Sequence, residues 1–416
     1  MTSQAQALAL QPAKLLAVNV NGLAGKNKRR AFFKHVLSTS WDVLVLSETH
    51  CGGPDVAAKW LRGGAGPGKP WLGQAFWSHG TSASRGVAVL LRQGFAAKAK
   101  VEFADTAGRV LRVGWDSGPQ GRPVSVVAVY APADGEASRS AFFAPDGPLQ
   151  QAIAAGSGSA ADLFLGGDFN CRLPVGESVG AQPADVQRLQ GLVAAAGLRD
   201  AWAAARGSVG FRPEEAWTFL ARGPGRTSSS RLDYWFVPSQ RVGEGWVARC
   251  GHRWDAAAPG DHAAVALEWR CPDATPRGKS RWIFPNFLLR DQGFVSGSKG
   301  ELSAFLDGWQ PNGDPQQAAS PAGARWEAAK EWLKGRALHE LRQRALQVAG
   351  ERRQAVRAER QARVRAAIAD APAAAEAYQS WRAAAKRLQD ASMSRGADDL
   401  VAGGVPLDVL WDACAL

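Results

Sequence analysis

The sequence predicts a layered α/β domain followed by a basic helical region. Short runs rich in Val, Leu and aromatic residues recur between Lys14 and Arg270, with helical patterns between some of them. After Cys271 this pattern stops, and an Arg-rich helical pattern begins at Trp326. The chain has 416 residues, of which 46% are hydrophobic. This composition is typical of a globular protein and excludes a wholly disordered or fibrous one.

Seven apolar runs are predicted to be strands, because turn residues flank most of them. In chain order they are LLAVNV, WDVLVLS, GVAVLLR, VSVVAVY, ADLFLGG, RLDYWFV and AAVALEW. Several runs are apolar throughout, which is typical of strands that are covered on both faces. Helices are predicted over Lys28–Ser38, with Phe32, Phe33 and Val36 on one side, and over Asp185–Ala196.

The segments that follow the α/β domain differ from it in composition. The predicted boundaries are an α/β domain at 12–270, a connector at 271–325, a basic helical arm at 326–392 and a tail at 393–416. The connector is rich in Pro, Gly and Ser around one aromatic island, RWIFPNFLL. An apolar stripe along the arm comprises Trp326, Ala329, Leu333, Ala337, Leu341 and Ala345. Gly335, Gly350 and Pro372 are predicted to break the arm.

Charge and cysteine content indicate the class of partner and the compartment. The formal net charge of +12 suggests a polyanion as partner, whereas the Arg-rich pattern of the arm favours a solvated helix surface over a surface for nucleic acid. The longest apolar runs, such as Trp41–Leu46, are too short to cross a bilayer, so we expect no membrane association. The N-terminal segment does not have the pattern of a secretory signal. Five Cys without zinc-type spacing favour a reducing, intracellular location.

Polar side chains recur where the predicted strands end. They are Asn19, Glu48, Tyr130, Asp168, Asn170, Thr218, Asp233, Asp261 and His262. In α/β folds ligands bind beyond strand ends, so we expect this set to converge on one cleft. Carboxylate and amide oxygens suit Mg²⁺, with Mn²⁺ as an alternative ion, better than they suit zinc. Such an ion stabilises charge on a phosphoryl group, so the set predicts metal-assisted hydrolysis of a phosphate ester.

The ordered motifs VNVNGL, LSETH, VYAP, GGDFN, TF…SRLDY and GDHAAV resemble those of the endonuclease/exonuclease/phosphatase superfamily, which is DNase I-like. The resemblance covers roughly residues 12–270 and implies a four-layer α/β/β/α sandwich. It implies that Glu48, Asn19 and Asp261 form the metal site. It also implies a phosphate contact by Tyr130, water activation by Asp168 with Asn170, and a His262 held by Asp233.

The residue before Arg231 indicates which branch of this superfamily the sequence resembles most. Apurinic repair enzymes typically carry Trp there, whereas Ser230 is similar to the endonucleases of non-LTR (LINE-type) retrotransposons. The resemblance therefore implies a DNA-nicking endonuclease in the nucleus, with substrate contacts by Asn21, Thr218, Ser230 and Arg231. The basic arm is a candidate contact for RNA as well as DNA. The oligomeric state is left open.

Two other functions are consistent with the same residues. A phosphatase or phosphodiesterase of this superfamily that acts on small or lipid phosphate esters would use the same catalytic set, because substrate choice lies in the loops. An inactive nucleic-acid-binding remnant of a mobile element is the other alternative. Gly260 favours the remnant, since the family usually has Ser before the Asp-His pair.

Overall fold

The computed structural model describes thirteen segments of the chain. They are residues 13–38, 41–64, 70–96, 98–116, 123–156, 161–174, 181–206, 213–223, 226–254, 261–270, 286–310, 321–368 and 374–392. The chain divides into two compact units. The first unit comprises Met1–Pro276 and Ala362–Lys386, and the second comprises Arg277–Gln361 and Arg387–Leu416.

Six strands of the first unit form a mixed sheet in the order β13-β14-β1-β2-β4-β3. Their bounds are β1 Ala13–Asn19, β2 Val43–Ser47, β3 Gln74–Ser78, β4 Val87–Leu91, β13 Val247–Arg253 and β14 Ala264–Trp269. At its centre, β1 runs parallel to β2 and antiparallel to β14. Both central strands β1 and β2 are almost wholly buried, as the continuous apolar runs predict.

The second mixed sheet has the order β5-β6-β7-β8-β12-β9. Its strands are β5 Lys100–Ala104, β6 Val110–Trp115, β7 Val124–Tyr130, β8 Asp162–Asp168, β9 Leu198–Asp200 and β12 Asp233–Pro238. Strand β8 is parallel to β7 and antiparallel to β12. A separate antiparallel hairpin is formed by β10 (Phe219–Gly223) and β11 (Arg226–Ser230).

The main core lies between the two sheets. Alternate residues of each sheet fill it, for example Val45 of the first sheet and Val126 of the second, with Trp235 and Trp269 among the largest side chains. A second core joins the outer face of the second sheet to the helices that cover it, through side chains such as Leu189. Helices also flank the first sheet. This arrangement confirms the predicted α/β sandwich.

Among the described residues up to 270, eight short helices lie between the strands. They are α1 Lys26–Ser38, α2 Pro54–Arg62, α3 Glu136–Phe142, α4 Pro148–Ala154, α5 Ala184–Ala195, α6 Ala201–Arg206, α7 Pro213–Ala216 and α8 Ser239–Gly243. The two helices predicted from the sequence correspond to α1 and α5. As predicted, Phe32 and Phe33 of α1 are fully buried.

The C-terminal region is helical, as predicted, but its divisions differ from the prediction. A 3-10 helix at Asn286–Arg290 and α9 (Gln292–Asp307) lie inside the expected connector. Asp291 caps α9 by accepting a hydrogen bond from the Phe294 amide at 2.9 Å. Helix α10 then spans Pro321–Ile368, and α11 spans Ala374–Ser392. The tail lies outside the described residues.

The predicted helix breaks at two glycines are wrong. Gly335 and Gly350 both lie inside the continuous α10. A glycine costs a helix only about 1 kcal/mol relative to alanine, and the surrounding Ala, Arg, Glu and Gln are strong helix formers. Pro372 lies outside the described residues, between α10 and α11. In the predicted apolar stripe, Ala337 and Leu341 are buried, but Trp326 at its start is 63% exposed.

Two further observations concern membrane spans and thiols. Across the described ranges, the structure contains no helix with the length and apolar character needed to span a membrane. Cys51, Cys171 and Cys250 are free thiols. Burial raises the pKa of all three, with Cys171 at about 12, so none of these thiols is activated.

Candidate active site

The strand pairing of both sheets brings polar side chains to one edge. Asn19 ends β1 and lies beside Ser47, the last residue of the parallel strand β2, so that Glu48 follows directly. In the second sheet Tyr130 ends β7 and is paired in register with Asp168, which ends the parallel strand β8. Because parallel strands deliver their carboxyl ends to the same edge, these four side chains share one end of the fold.

Antiparallel neighbours deliver two more residues to this edge from their amino-terminal ends. Asp233 is the first residue of β12 and is paired in register with Asp168. His262 lies two residues before β14 and forms an isolated bridge with Phe219, whose ring lies 4.8 Å from the imidazole. The expected convergence of the acids and the histidine is therefore present in the structure.

His262 is held by Asp233 in the interior of the site. Nδ1 of the imidazole lies 2.8 Å from Oδ2 of Asp233, and its Nε2 lies 3.9 Å from Oδ2 of Asp168. Burial alone would lower the pKa of His262, but the charge and hydrogen bond of Asp233, with the charge of Asp168, raise it to about 10. The imidazole is therefore a cation at neutral pH, and its Nδ1–H donates to Asp233.

Asp168 is the most heavily engaged carboxylate of the site and is only 1% exposed. Its Oδ2 accepts from Nδ2 of Asn19 at 3.0 Å, and its Oδ1 accepts from the Asn170 amide at 2.8 Å. Burial and the nearby charge of Asp233 raise the pKa of Asp168 to about 7, although His262 acts in the opposite direction. Asn170 has a positive φ of 46° and donates from Nδ2 to the Ala131 carbonyl at 2.9 Å.

Glu48 occupies the more open side of the edge. Its backbone has a positive φ of 52°, an uncommon conformation for a residue that is not glycine, and its side chain is 22% exposed. Burial and a hydrogen bond to Glu48 raise the pKa of Tyr130 well above its usual range, so the phenol remains a proton donor. The guanidinium of Arg109 lies 5.2 Å from the centre of the Tyr130 ring.

The rim of the site is formed by residues that follow β1. Nδ2 of Asn21 lies 3.4 Å from Oδ1 of Asp261, which is a long hydrogen bond. The ammonium of Lys28 donates to the Asn21 carbonyl at 2.7 Å, and the charges of Asp261 and Glu48 both act on it. These contacts place both rim acids near Lys28, which belongs to the basic run Lys26–Arg30.

Three residues predicted to contact substrate are buried in the structure. Thr218 is fully buried, and its hydroxyl oxygen accepts from the amides of Leu232 and Asp233 at 2.9 and 3.0 Å. Ser230 and Arg231 are also buried. The Arg231 guanidinium lies 2.6 Å from the carboxylate of Asp200, between the rings of Trp202 and Tyr234. The prediction that these three side chains bind substrate gains no support from their burial.

His50 is a residue of this edge that the sequence analysis did not single out. Nε2 of His50 lies 3.8 Å from the Glu48 carboxylate. A Cβ at Gly22 would lie 2.6 Å from Nδ1 of His50, so only glycine allows this close approach. The signals were present in the motifs LSETH and VNVNGL. Gly260, the departure from the family pattern, lies outside the described residues.

The donor set fits a hard divalent cation at the open side of the edge. Asp168, Asp233 and His262 have ligand atoms within 4.8 Å of one another, but hydrogen bonds already engage these groups and His262 is cationic. They form a proton-handling group better than a metal cage. Glu48 is partly exposed. Among the described residues, Oδ1 of Asn19 accepts only the Asn21 amide, at 2.9 Å, so a second lone pair is available.

Comparisons with known proteins agree with this architecture. The model of the Endonuclease/Exonuclease/phosphatase family matches residues 16–262, which is more than half of the chain. A search among curated proteins gave no match.

Among solved structures, the AP endonuclease LMAP from Leishmania major is 16% identical, with a TM-score of 0.47 over 65% of this chain and 100% of that one. The catalytic domain of Xenopus laevis APE2 is 17% identical, with a TM-score of 0.46 over 64% and 94%. The endonuclease domain of TRAS1, a telomere-specific non-LTR retrotransposon, is 16% identical, with a TM-score of 0.43 over 63% and 100%.

Proposed function

The chain belongs to the endonuclease/exonuclease/phosphatase family, and on that premise we propose that it is a Mg²⁺-dependent endonuclease that nicks DNA. One observation carries the proposal. The buried group of Asp168, His262 and Asp233 lies at a strand edge that also carries the partly exposed Glu48. This combination supplies a proton acceptor, a cation and an oxygen ligand, which are the elements that hydrolysis of a phosphodiester requires.

Glu48 and Asn19 would hold the ion, with Asp261 supporting it from the rim. When bound, Mg²⁺ neutralises charge on the phosphoryl oxygens and lowers the pKa of water; Mn²⁺ supplies the same chemistry. The hydrogen bond from Nδ2 of Asn19 to Asp168 fixes the orientation of the amide, so that its oxygen is the atom available to a cation.

Asp168 accepts a proton from the attacking water in this scheme. A pKa of about 7 suits a general base, since the carboxylate is then substantially ionised at neutral pH and still basic enough to take the proton. The two amides that Asp168 engages, from Asn19 and the Asn170 backbone, fix its position. Asn170 lies next to it on the same turn and orients the water.

His262 stabilises the negative charge that develops on the phosphoryl group. Its pKa of about 10 keeps the imidazole protonated, and Asp233 holds Nδ1, so the Nε2–H is the donor available to the substrate. Tyr130 retains its proton and contacts a second phosphate oxygen. Preorganised donors of this kind act without reorganisation during the reaction.

DNA is the substrate we propose, on the strength of the chain's charge and of its resemblance to LINE-type endonucleases. A net charge of +12 favours a polyanion over a small phosphate ester. Ser230 stands where apurinic repair enzymes typically have Trp, and SSSRLDYWFVPS resembles the corresponding LINE-type segment. We therefore propose target-site nicking in the nucleus for such an element, and a reverse transcriptase downstream in the reading frame would support this context.

The test is conversion of supercoiled plasmid to the nicked form by the full chain with Mg²⁺, compared with the same reaction in chelator. We expect His262→Gln and Asp168→Asn to reduce the nicking rate by roughly 10²–10⁴-fold, the usual contribution of a proton-transferring group. The matched control is His252→Gln. His252 is a histidine outside this group that stacks on Trp202 and bonds the Glu215 carbonyl.

Nicking that survives in either variant would contradict the assigned roles. Hydrolysis of inositol phosphates without nicking of DNA would instead establish the small-ester function. Salt-sensitive DNA binding without any metal-dependent cleavage would establish the inactive remnant.

A further inference from the structure

Two helical stretches of the C-terminal region, residues 362–368 and 374–386, are packed into the first unit. Trp381 of α11 is 1% exposed, and its ring lies edge-on to Trp254 at 5.4 Å. The small cluster that surrounds this pair comprises Leu220, Ala263, Ala362, Ala366 and Ala384. The guanidinium of Arg363 lies 5.0 Å from the Trp254 ring and is also buried. These stretches are therefore anchored by aromatic packing and are not a free basic arm.

The surface on which α11 rests is continuous with the catalytic edge. Ala263, in the same cluster as Trp381, directly follows His262 and donates its amide to the Thr218 carbonyl at 2.6 Å. Leu220 donates its amide to the Asp261 carbonyl at 2.8 Å. Leu220 and Ala263, which are bonded to or adjacent to the Asp261-His262 backbone, thus also pack against α11.

This packing leaves two basic side chains of α11 exposed, and the first of them lies near the rim of the site. Arg382 follows the buried Trp381 and is exposed, and Lys386 is exposed one helical turn further on. The charge of Arg382 acts on the ammonium of Lys28, which also senses Asp261 and bonds to the Asn21 carbonyl. Two cations held near each other repel, and an anion between them removes that repulsion.

We propose that Arg382, Lys386 and Lys28 form a rim that binds backbone phosphates of a nucleic-acid strand next to the scissile one. The proposal rests on the proposed nuclease function and specifies its substrate class. A small phosphate ester fills only the cleft, so the basic residues of the rim do not strengthen its binding. A polymer places several phosphates across it, and each contact releases counterions.

The test measures binding of a fluorescein-labelled DNA duplex to the full chain by anisotropy, in chelator and over a series of salt concentrations. The variant Arg382→Gln/Lys386→Gln removes two contacts without touching the catalytic group. We expect binding to weaken on the order of tenfold, and the slope of log K against log salt to decrease in magnitude by about 1.8.

The matched control is Lys98→Gln/Lys100→Gln, which changes the net charge equally. Both lysines are exposed, and Lys100 pairs with Gly114 at the end of the second sheet opposite Tyr130. Weaker binding in the rim variant, together with unchanged binding in this control, supports the proposal. Unchanged binding in the rim variant, or an equal loss in the control, would overturn it. The binding assay is run in chelator, so it does not depend on cleavage. Wild-type protein that binds DNA through the rim but does not nick plasmid with Mg²⁺ would contradict the nuclease proposal and leave the rim proposal standing.

Discussion

Replacing Thr218 with valine should destabilise the fold and impair the site without removing any substrate contact. Valine has nearly the same shape as threonine but lacks the hydroxyl whose oxygen accepts from the Leu232 and Asp233 amides. Each buried amide that loses its acceptor costs at least about 1 kcal/mol, so the free energy of unfolding should fall by about 2 kcal/mol. For a unit of this size that corresponds to a decrease in Tm of roughly 3 °C.

The assay is thermal and urea unfolding of wild type, Thr218→Val and the matched control Thr218→Ser. Serine keeps the hydroxyl and loses one buried methyl, so it should cost only about 1 kcal/mol. The nicking rate should fall in the valine variant with little change in KM, because the Asp233 amide moves and with it the carboxylate that holds His262. A valine variant as stable as wild type would refute the structural role assigned to this hydroxyl.

Two further predictions concern a glycine and a histidine. Gly22→Ala places a Cβ at a φ of +78° and 2.6 Å from Nδ1 of His50, so we expect the free energy of unfolding to fall by about 1–3 kcal/mol and nicking to become slower. The control Gly197→Ala has a φ of +66° and nothing within 4 Å of the added Cβ, so its free energy of unfolding should fall less. Equal decreases in the two variants would contradict the close approach of Gly22 to His50. Burial and the charge of Arg231 lower the pKa of His252 in the folded protein to about 3, whereas the pKa of a histidine in the unfolded chain is about 6.5. As the pH falls below about 6.5, the imidazole is therefore protonated in the unfolded chain but not in the folded protein, and the folded state loses stability. Between pH 7 and pH 5, the free energy of unfolding of the wild type should therefore fall by up to about 2 kcal/mol more than that of His252→Gln. An equal decrease in the two proteins would contradict a neutral buried imidazole at position 252.

The strands that could be predicted from the sequence are nearly all buried on both faces, although the equally buried β6 was missed because Arg and Gly interrupt its apolar run VLRVGW. The run VSVVAVY is continuous because all its side chains are covered, and it corresponds to β7. Strands at sheet edges were missed: β5 is largely exposed, and the hairpin strand β11 (Arg226–Ser230) reads RTSSS. Their pairing is decided by neighbouring strands, which leave no apolar pattern in the segment itself.

The candidate site could be predicted to the extent that strand ends carry it. Asp168 and Asp233 are brought together by register, because one ends β8 and the other begins the antiparallel strand β12. Burial was not predictable in the same way. Arg231 follows directly on the polar segment SSS, yet it pairs with Asp200 in the interior, which lies 31 positions away in the chain. Only the folded structure separates such a side chain from a solvent-facing one.

The position of α11 shows what composition alone does not reveal about the C-terminal region. The Arg-rich sequence of the arm, most of which lies in α10, predicts a solvated helix, but Tyr378 and Trp381 of α11, three positions apart, form one aromatic face with rings 5.3 Å from each other. Trp381 in turn packs against Trp254. An apolar face this narrow is enough to anchor a helix when a complementary surface exists, and the remaining faces stay basic. The same helix is thus a structural element of the first unit on one side and a phosphate-binding surface on the other, a combination that a shorter domain ending at residue 270 would lack.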